Sequence, residues 1–133
     1  MQSTSNHIQE PKEDARAHKP RVHVVTYIKL RSFGKVCWFM RQNMHIYEIA
    51  RGREGFVAGG IRSMFWRKEF WTFTTWDDRD KMMAFVQSWP HSEAAARHGE
   101  MAEVGQYVEW ESDVQPDWDE ALERLQRPTG KLG

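Results

Sequence analysis

A chain of 133 residues is one ordinary domain with room for a hydrophobic core. Its 19 Lys plus Arg match 19 Asp plus Glu, so the net charge is zero and nothing speaks for a nucleic-acid partner, which would call for a basic stripe. A single cysteine excludes an internal disulfide, and the load of seven Trp and seven Phe must go to the core or to the walls of a pocket.

No apolar run approaches the roughly 18 residues of a membrane span. The polar N-terminus lacks the apolar core of a signal peptide. The expectation is a cytoplasmic protein with no membrane partner. Cys37, next to Trp38 and Phe39, is expected to be a small buried hydrophobe.

Residues 1–20 (MQSTSNHIQEPKEDARAHKP) are polar apart from Ile8 and read as a disordered or loosely packed arm. Arg21 to Leu30 (RVHVVTYIKL) is the first strand, and Arg31 to Gly34 a turn. From Lys35 to about Arg51 the spacing predicts a helix, with Val36, Phe39, Met40, Met44, Tyr47 and Ala50 on one face. Gly52 and Gly55 end it. Phe56 to Phe65 is a second strand, where Gly59-Gly60 calls for a bulge or a close approach by another group. Trp66 to Glu69 is a tight connection, which makes a hairpin with the strand Phe70 to Trp76.

That third strand (FWTFTTW) is β-branched and aromatic throughout. Asp77-Asp78 then caps a helix over Asp77 to Trp89, in which Met82, Phe85, Val86 and Trp89 recur at helical spacing until Pro90 breaks it. A short helix from His91 to about Glu103 precedes the fourth strand, Gln106 to Glu111 (QYVEWE). After Pro116, Asp117 to Gln126 reads as a short helix and the rest as a frayed end.

The order strand, helix, strand, strand, helix, strand is the split β-α-β plan: an α+β, ferredoxin-like antiparallel sheet with helices on one face. The domain spans 21–112 and a C-terminal extension 113–133. Strand three is apolar on both sides, with Trp71 and Phe73 on one and Phe70 and Trp76 on the other. The second face therefore needs cover, and a second copy of the sheet is the simplest one, which predicts a homodimer.

Arg41-Gln42 on the first helix, the run Phe70 to Asp78, then Phe85 and His91, together resemble the dimeric α/β-barrel superfamily, over roughly residues 21–112. That superfamily includes antibiotic-biosynthesis monooxygenases and haem-degrading monooxygenases. Within it, the resemblance is greatest to small uncharacterised proteins and to the spheroidene-monooxygenase group. The resemblance implies a small monooxygenase-like enzyme acting on an apolar, aromatic or polyene molecule, with either no cofactor or a bound haem. The haem-degrading branch uses an Asn on the first strand and a Trp and a His on the second helix. A gapless alignment on Trp76 puts Phe85 and Ala95 in the latter two positions, and the first strand holds no Asn. His98 lies near the His position only with a gap.

The expected pocket lies between the sheet and the two principal helices, near His91. His91 is a candidate haem ligand or proton donor, and its alternative is a helix-start histidine bonded locally. Arg41 is a candidate to hold a carboxylate or a substrate oxygen, and His45, four residues on, shares its face. Trp71, Phe73, Trp76 and Phe85 supply apolar walls. Arg62, a charge inside an apolar strand, calls for a partner among Glu48, Glu69 and Glu109 or a place at a pocket mouth. The residue spacings contain no metal site, catalytic triad or phosphate loop. Two other readings stand beside the enzyme: a non-catalytic dimer that binds haem or another hydrophobic small molecule, and a structural dimer whose aromatics are plain core.

Overall fold

The computed structural model describes residues 20–88, 97 and 100–131. The expected N-terminal arm, apart from Pro20, and His91 lie outside them.

The strands are β1 (Arg21–Leu30), β2 (Phe56–Met64), β3 (Glu69–Trp76), β4 (Ala102–Ser112) and β5 (Gly130–Lys131). The helices described over their full length are α1 (Val36–Arg51), α2 (Arg79–Val86) and α3 (Trp118–Arg124); of the expected helix from His91 to about Glu103, most lies outside the described residues, and Arg97, Glu100 and Met101 are helical. The strands form one sheet in the order β2-β3-β1-β4-β5, every neighbouring pair antiparallel. This is the ferredoxin-like α+β plan with one added edge strand.

Pleating assigns each residue of the two central strands to a face. Val22, Trp76, Met82, Phe85 and Ala50 make one cluster under α1 and α2, and Ile28, Leu30, Phe70, Val36 and Phe39 make a second under the start of α1. On the opposite face Val25, Phe73, Val108 and Trp110 pack against Ala121 and Leu125 of the C-terminal segment. Trp118 adds its ring 6.0 Å from that of Phe73. The apolar positions 118, 121, 122 and 125 recur at helical spacing and make one stripe, which α3 lays on the sheet. Cover for the second face is thus supplied within the chain over its central part, where the sequence reading assigned it to a second copy.

Several boundaries differ from the sequence reading, each for a local reason. Asp78 caps α2 by accepting from the backbone N–H of Asp80 at 2.6 Å, but the helix ends at Val86, short of Trp89. The Ser88 hydroxyl donates to the Phe85 carbonyl at 2.6 Å and takes up an acceptor that a further turn would use. β4 starts at Ala102, four residues before the expected Gln106, because β1 offers a ten-residue ladder that recruits the weaker segment Ala102 to Gly105. The expected frayed end pairs instead: Thr129 N–H donates to the Tyr107 carbonyl at 2.8 Å, and Gly130 lies opposite Tyr107. Cys37 is exposed, not buried, because the helical phase that sends Val36 and Phe39 inward turns it outward. Met44, at 55% exposure, likewise falls off the buried face of α1.

At the glycine pair in β2 the expected close approach is met, while the bulge falls before the pair. The register slips between Phe56 and Ala58, and both glycines are closely approached. A Cβ on Gly59 would sit 2.5 Å from the Phe73 carbonyl oxygen and 3.1 Å from the rings of Phe56 and Tyr47. A Cβ on Gly60 would meet only Trp118, at 3.4 Å. Gly59→Ala is therefore expected to cost about 1–3 kcal/mol through overpacking against backbone, while Gly60→Ala should be close to neutral. Urea unfolding of the two variants checks this, and equal losses would contradict it.

Candidate functional site

On the helix-covered face, the sheet is apolar at both ends and polar in the middle. Between the Trp76 cluster and the Phe39 cluster, β1 contributes Thr26, β3 contributes Thr72 and Thr74, and α1 lowers Asn43 onto them. Asn43 Nδ2 donates to Thr72 Oγ1 at 3.1 Å. Thr26 Oγ1 donates to the Thr72 carbonyl at 3.5 Å, and Trp76 Nε1 to Thr74 Oγ1 at 3.0 Å. Tyr47 lies one helical turn beyond Asn43 on the same side, its ring 6.1 Å from that of Phe56 and edge-on to it. Burial pushes the Tyr47 phenol up from its ordinary range, so it keeps its proton and serves as a donor at neutral pH.

The opposite face carries two polar groups of its own. His23 is fully buried, and its Nδ1 lies 2.9 Å from Thr75 Oγ1 and its Nε2 3.0 Å from the Ser112 carbonyl. A carbonyl can only accept, so Nε2 carries the proton, Nδ1 accepts from the Thr75 hydroxyl, and Thr75 Oγ1 in turn accepts from Gln115 Nε2 at 3.1 Å. Trp110, its ring 5.3 Å from His23, leaves Nε1 buried without a partner, as Gln115 does its Oε1. At the other end of this face, Tyr27 donates to Glu69 Oε2 at 2.5 Å, and Arg67 Nε pairs with Glu69 Oε1 at 2.7 Å. Burial and the Glu69 carboxylate raise the Tyr27 phenol above its ordinary range.

The structure divides the residues singled out from sequence. Trp76 and Phe85 stack at 5.5 Å within the helix-covered core. Trp71 and Phe73 lie on the other face, beside Tyr27 and Trp118. One pocket cannot be lined by all four. Arg41 and His45 stand on the exposed side of α1, turned away from the polar stripe. His91 lies outside the described residues. Arg62 is exposed, and its guanidinium lies 5.6 Å from the centre of the Trp118 ring. Its three candidate partners are taken: Glu48 by Arg51, Glu69 by Arg67 and Glu109 by Arg79. Asn43 and Thr72 escaped notice, being neutral polar residues without a motif, and Tyr47 drew attention only as part of the apolar face of α1. The helical phase running Phe39, Asn43, Ile46 and Ala50 was the signal that turns Asn43 inward.

A bound haem would need an axial ligand on the helix-covered face. Neither of the described histidines fits: His23 is on the other face with both nitrogens engaged, and His45 points outward. Also among the described residues, no three of His, Cys, Asp and Glu converge as a metal site would require.

The His23 network gives a pH dependence with a definite sign. Burial holds the imidazole below its ordinary value of 6.5, aided by Arg21 and Arg124 and opposed by the Ser112 carbonyl and Glu120. Above that value the ring is neutral in both folded and unfolded chains. As pH falls below it, the unfolded chain binds the proton first, so stability declines until the folded ring protonates as well. Urea unfolding at about pH 8 and about pH 5 should show this loss, and His23→Gln should flatten it. A slope unchanged in His23→Gln would assign it to other groups.

No family model matches the chain, and no curated protein matches it. Solved structures do. A conserved protein from Methanosarcina mazei superposes with a TM-score of 0.62 at 16% identity, over 70% of this chain and 93% of that one. An antibiotic biosynthesis monooxygenase superposes at 0.59 and 10% identity, over 71% and 99%. A variant of SnoaB, a cofactor-independent oxygenase from Streptomyces nogalater, superposes at 0.60 and 12% identity, over 74% and 100%. The fold of this chain is thus that of antibiotic-biosynthesis-monooxygenase-like proteins.

Proposed function

We propose that the chain is a small cofactor-independent monooxygenase acting on an apolar, electron-rich aromatic or polyene molecule. The observation that carries this reading is the polar stripe of Asn43, Thr72 and Tyr47 set between two apolar clusters on the helix-covered face. Only one of the two Asn43 amide N–H bonds is needed for Thr72. The second, with the protonated Tyr47 hydroxyl, can hold the oxygen of a phenolate or enolate. The apolar flanks keep water from that anion, which strengthens each hydrogen bond to it.

Such an anion reacts with O2 and supplies all four electrons of the reduction itself. A substrate CH2 becomes C=O, and the second oxygen atom leaves as water with the two hydrogens. The similarity to SnoaB supports a reaction without cofactor. His91 and Arg41 are not required for this arrangement.

The test is O2 uptake with a panel of polycyclic phenols and enols, with no metal or flavin added. Asn43→Ala should lower turnover about 100-fold, the loss typical of one removed oxyanion donor, and Tyr47→Phe should lower it less. Uptake no faster than autoxidation, or unaffected by Asn43→Ala, would refute the reading. Tight binding without uptake would leave a binding module.

Pairing of two copies stays a proposal, on narrower ground than the sequence offered. With α3 seated on the centre of the second face, a partner sheet can meet only its open end, where Met64 and Val104 are 48% and 37% exposed. Light scattering at micromolar concentration should give twice the chain mass, and a particle of 15.8 kDa would end the proposal.

A further inference from the structure

At the end of the sheet where β1 gives way to α1, two short turns come together, Phe33–Lys35 and Phe65–Arg67, the second closing the β2–β3 hairpin. The Leu30 N–H donates to the Lys68 carbonyl at 2.9 Å and fixes the hairpin end beside β1. Phe33 is 48% exposed, Phe65 37% and Trp66 82%. The three rings form one cluster: Phe33 lies 6.1 Å from Phe65 and 6.2 Å from Trp66, and Phe65 and Trp66 are 5.1 Å apart. Contiguous aromatic surface left in water marks a contact site far more often than scattered exposed residues do.

The charge around the cluster is mostly basic. Residues 31–35 (RSFGK) and 64–68 (MFWRK) hold four basic residues and no acidic one, in a chain whose charges balance overall. Lys68 Nζ lies 4.8 Å from the centre of the Phe33 ring, and Arg67 is paired with Glu69. Arg31 and Lys35 line an open groove of about 190 Å³, with Glu100 as the acidic residue in its wall. That is smaller than the ~300–1,000 Å³ of typical ligand pockets, but wide enough for a headgroup phosphate.

We propose that this tip docks on the surface of an anionic lipid bilayer. Trp66, Phe33 and Phe65 enter the headgroup layer, and Arg31, Lys35 and Lys68 meet lipid phosphates. Aromatic rings settle at that depth, and basic residues beside them are drawn by the negative surface potential. A second copy of the chain is the weaker candidate, because an isologous contact would press the same cations against each other. The expectation of no membrane partner rested on the lack of a span. Surface docking needs none, and among the described residues no helix is long and apolar enough to cross. The inference is independent of the oxygenase reading, since its measurement involves no chemistry.

The full chain should pellet with phosphatidylcholine vesicles containing about one-third phosphatidylglycerol at low ionic strength, and less as salt is added. It should not pellet with phosphatidylcholine alone. Trp66→Ala should weaken binding at least about tenfold, and Lys35→Gln and Lys68→Gln about fivefold each. An unchanged thermal midpoint confirms that each variant is folded. No pelleting with the anionic vesicles, or pelleting unaltered in Trp66→Ala, would overturn the proposal. So would self-association that Trp66→Ala abolishes in a chain that ignores vesicles, an outcome that would assign the cluster to a contact between copies.

Discussion

Phe70 and Trp76 press on α1 and α2, while Phe73 and Thr75, between them in sequence, press on the C-terminal segment. A central strand buried on both faces leaves its neighbours little freedom. Each of these apolar side chains is worth ~1.5–3 kcal/mol only while its own face stays covered. Removing cover from either face would turn that contribution into exposed aromatic surface. The second layer is therefore part of the fold in the same sense as the first. The close contacts of β2 follow from the same demand: Gly59 admits Tyr47 from one side and Gly60 admits Trp118 from the other.

Polar groups inside such a sheet are of two kinds, and their hydrogen bonds separate them. The His23 circuit is closed at its centre, with both ring nitrogens and the Thr75 hydroxyl engaged as donor or acceptor. It joins the strand ends to Ser112 and Gln115, and the polar atoms left over on that face are the buried Gln115 Oε1 and Trp110 Nε1. The Asn43 stripe is open, because an amide N–H and a phenol remain after its internal bonds are made. That openness is what supports the proposal of chemistry on the helix-covered face.

Much of the fold was legible in the chain. Strands β1 and β3 announced themselves through β-branched and aromatic residues, and α1 through its apolar period. What escaped were effects of single side chains and of partners. The Ser88 hydroxyl shortens α2, and the long ladder of β1 draws Ala102 to Gly105 into β4. The stripe at 118, 121, 122 and 125 was visible, but not which surface it would meet. The site was harder. Charge and titration drew attention to Arg41 and His45, which face solvent, while the inward Asn43 carries neither signal.

The edges of the sheet bear on how the protein survives crowding. On one side the two-residue β5 shields Gln106 and Tyr107 of β4, and Thr129 occupies the Glu109 N–H. On the other side β2 is the terminal strand among the described residues. Its register slip after Phe56, its two glycines and the charge of Arg62 make it a poor template for a foreign strand. Edge-to-edge growth into fibrils needs a flat, regular ribbon, and neither border of this sheet offers one.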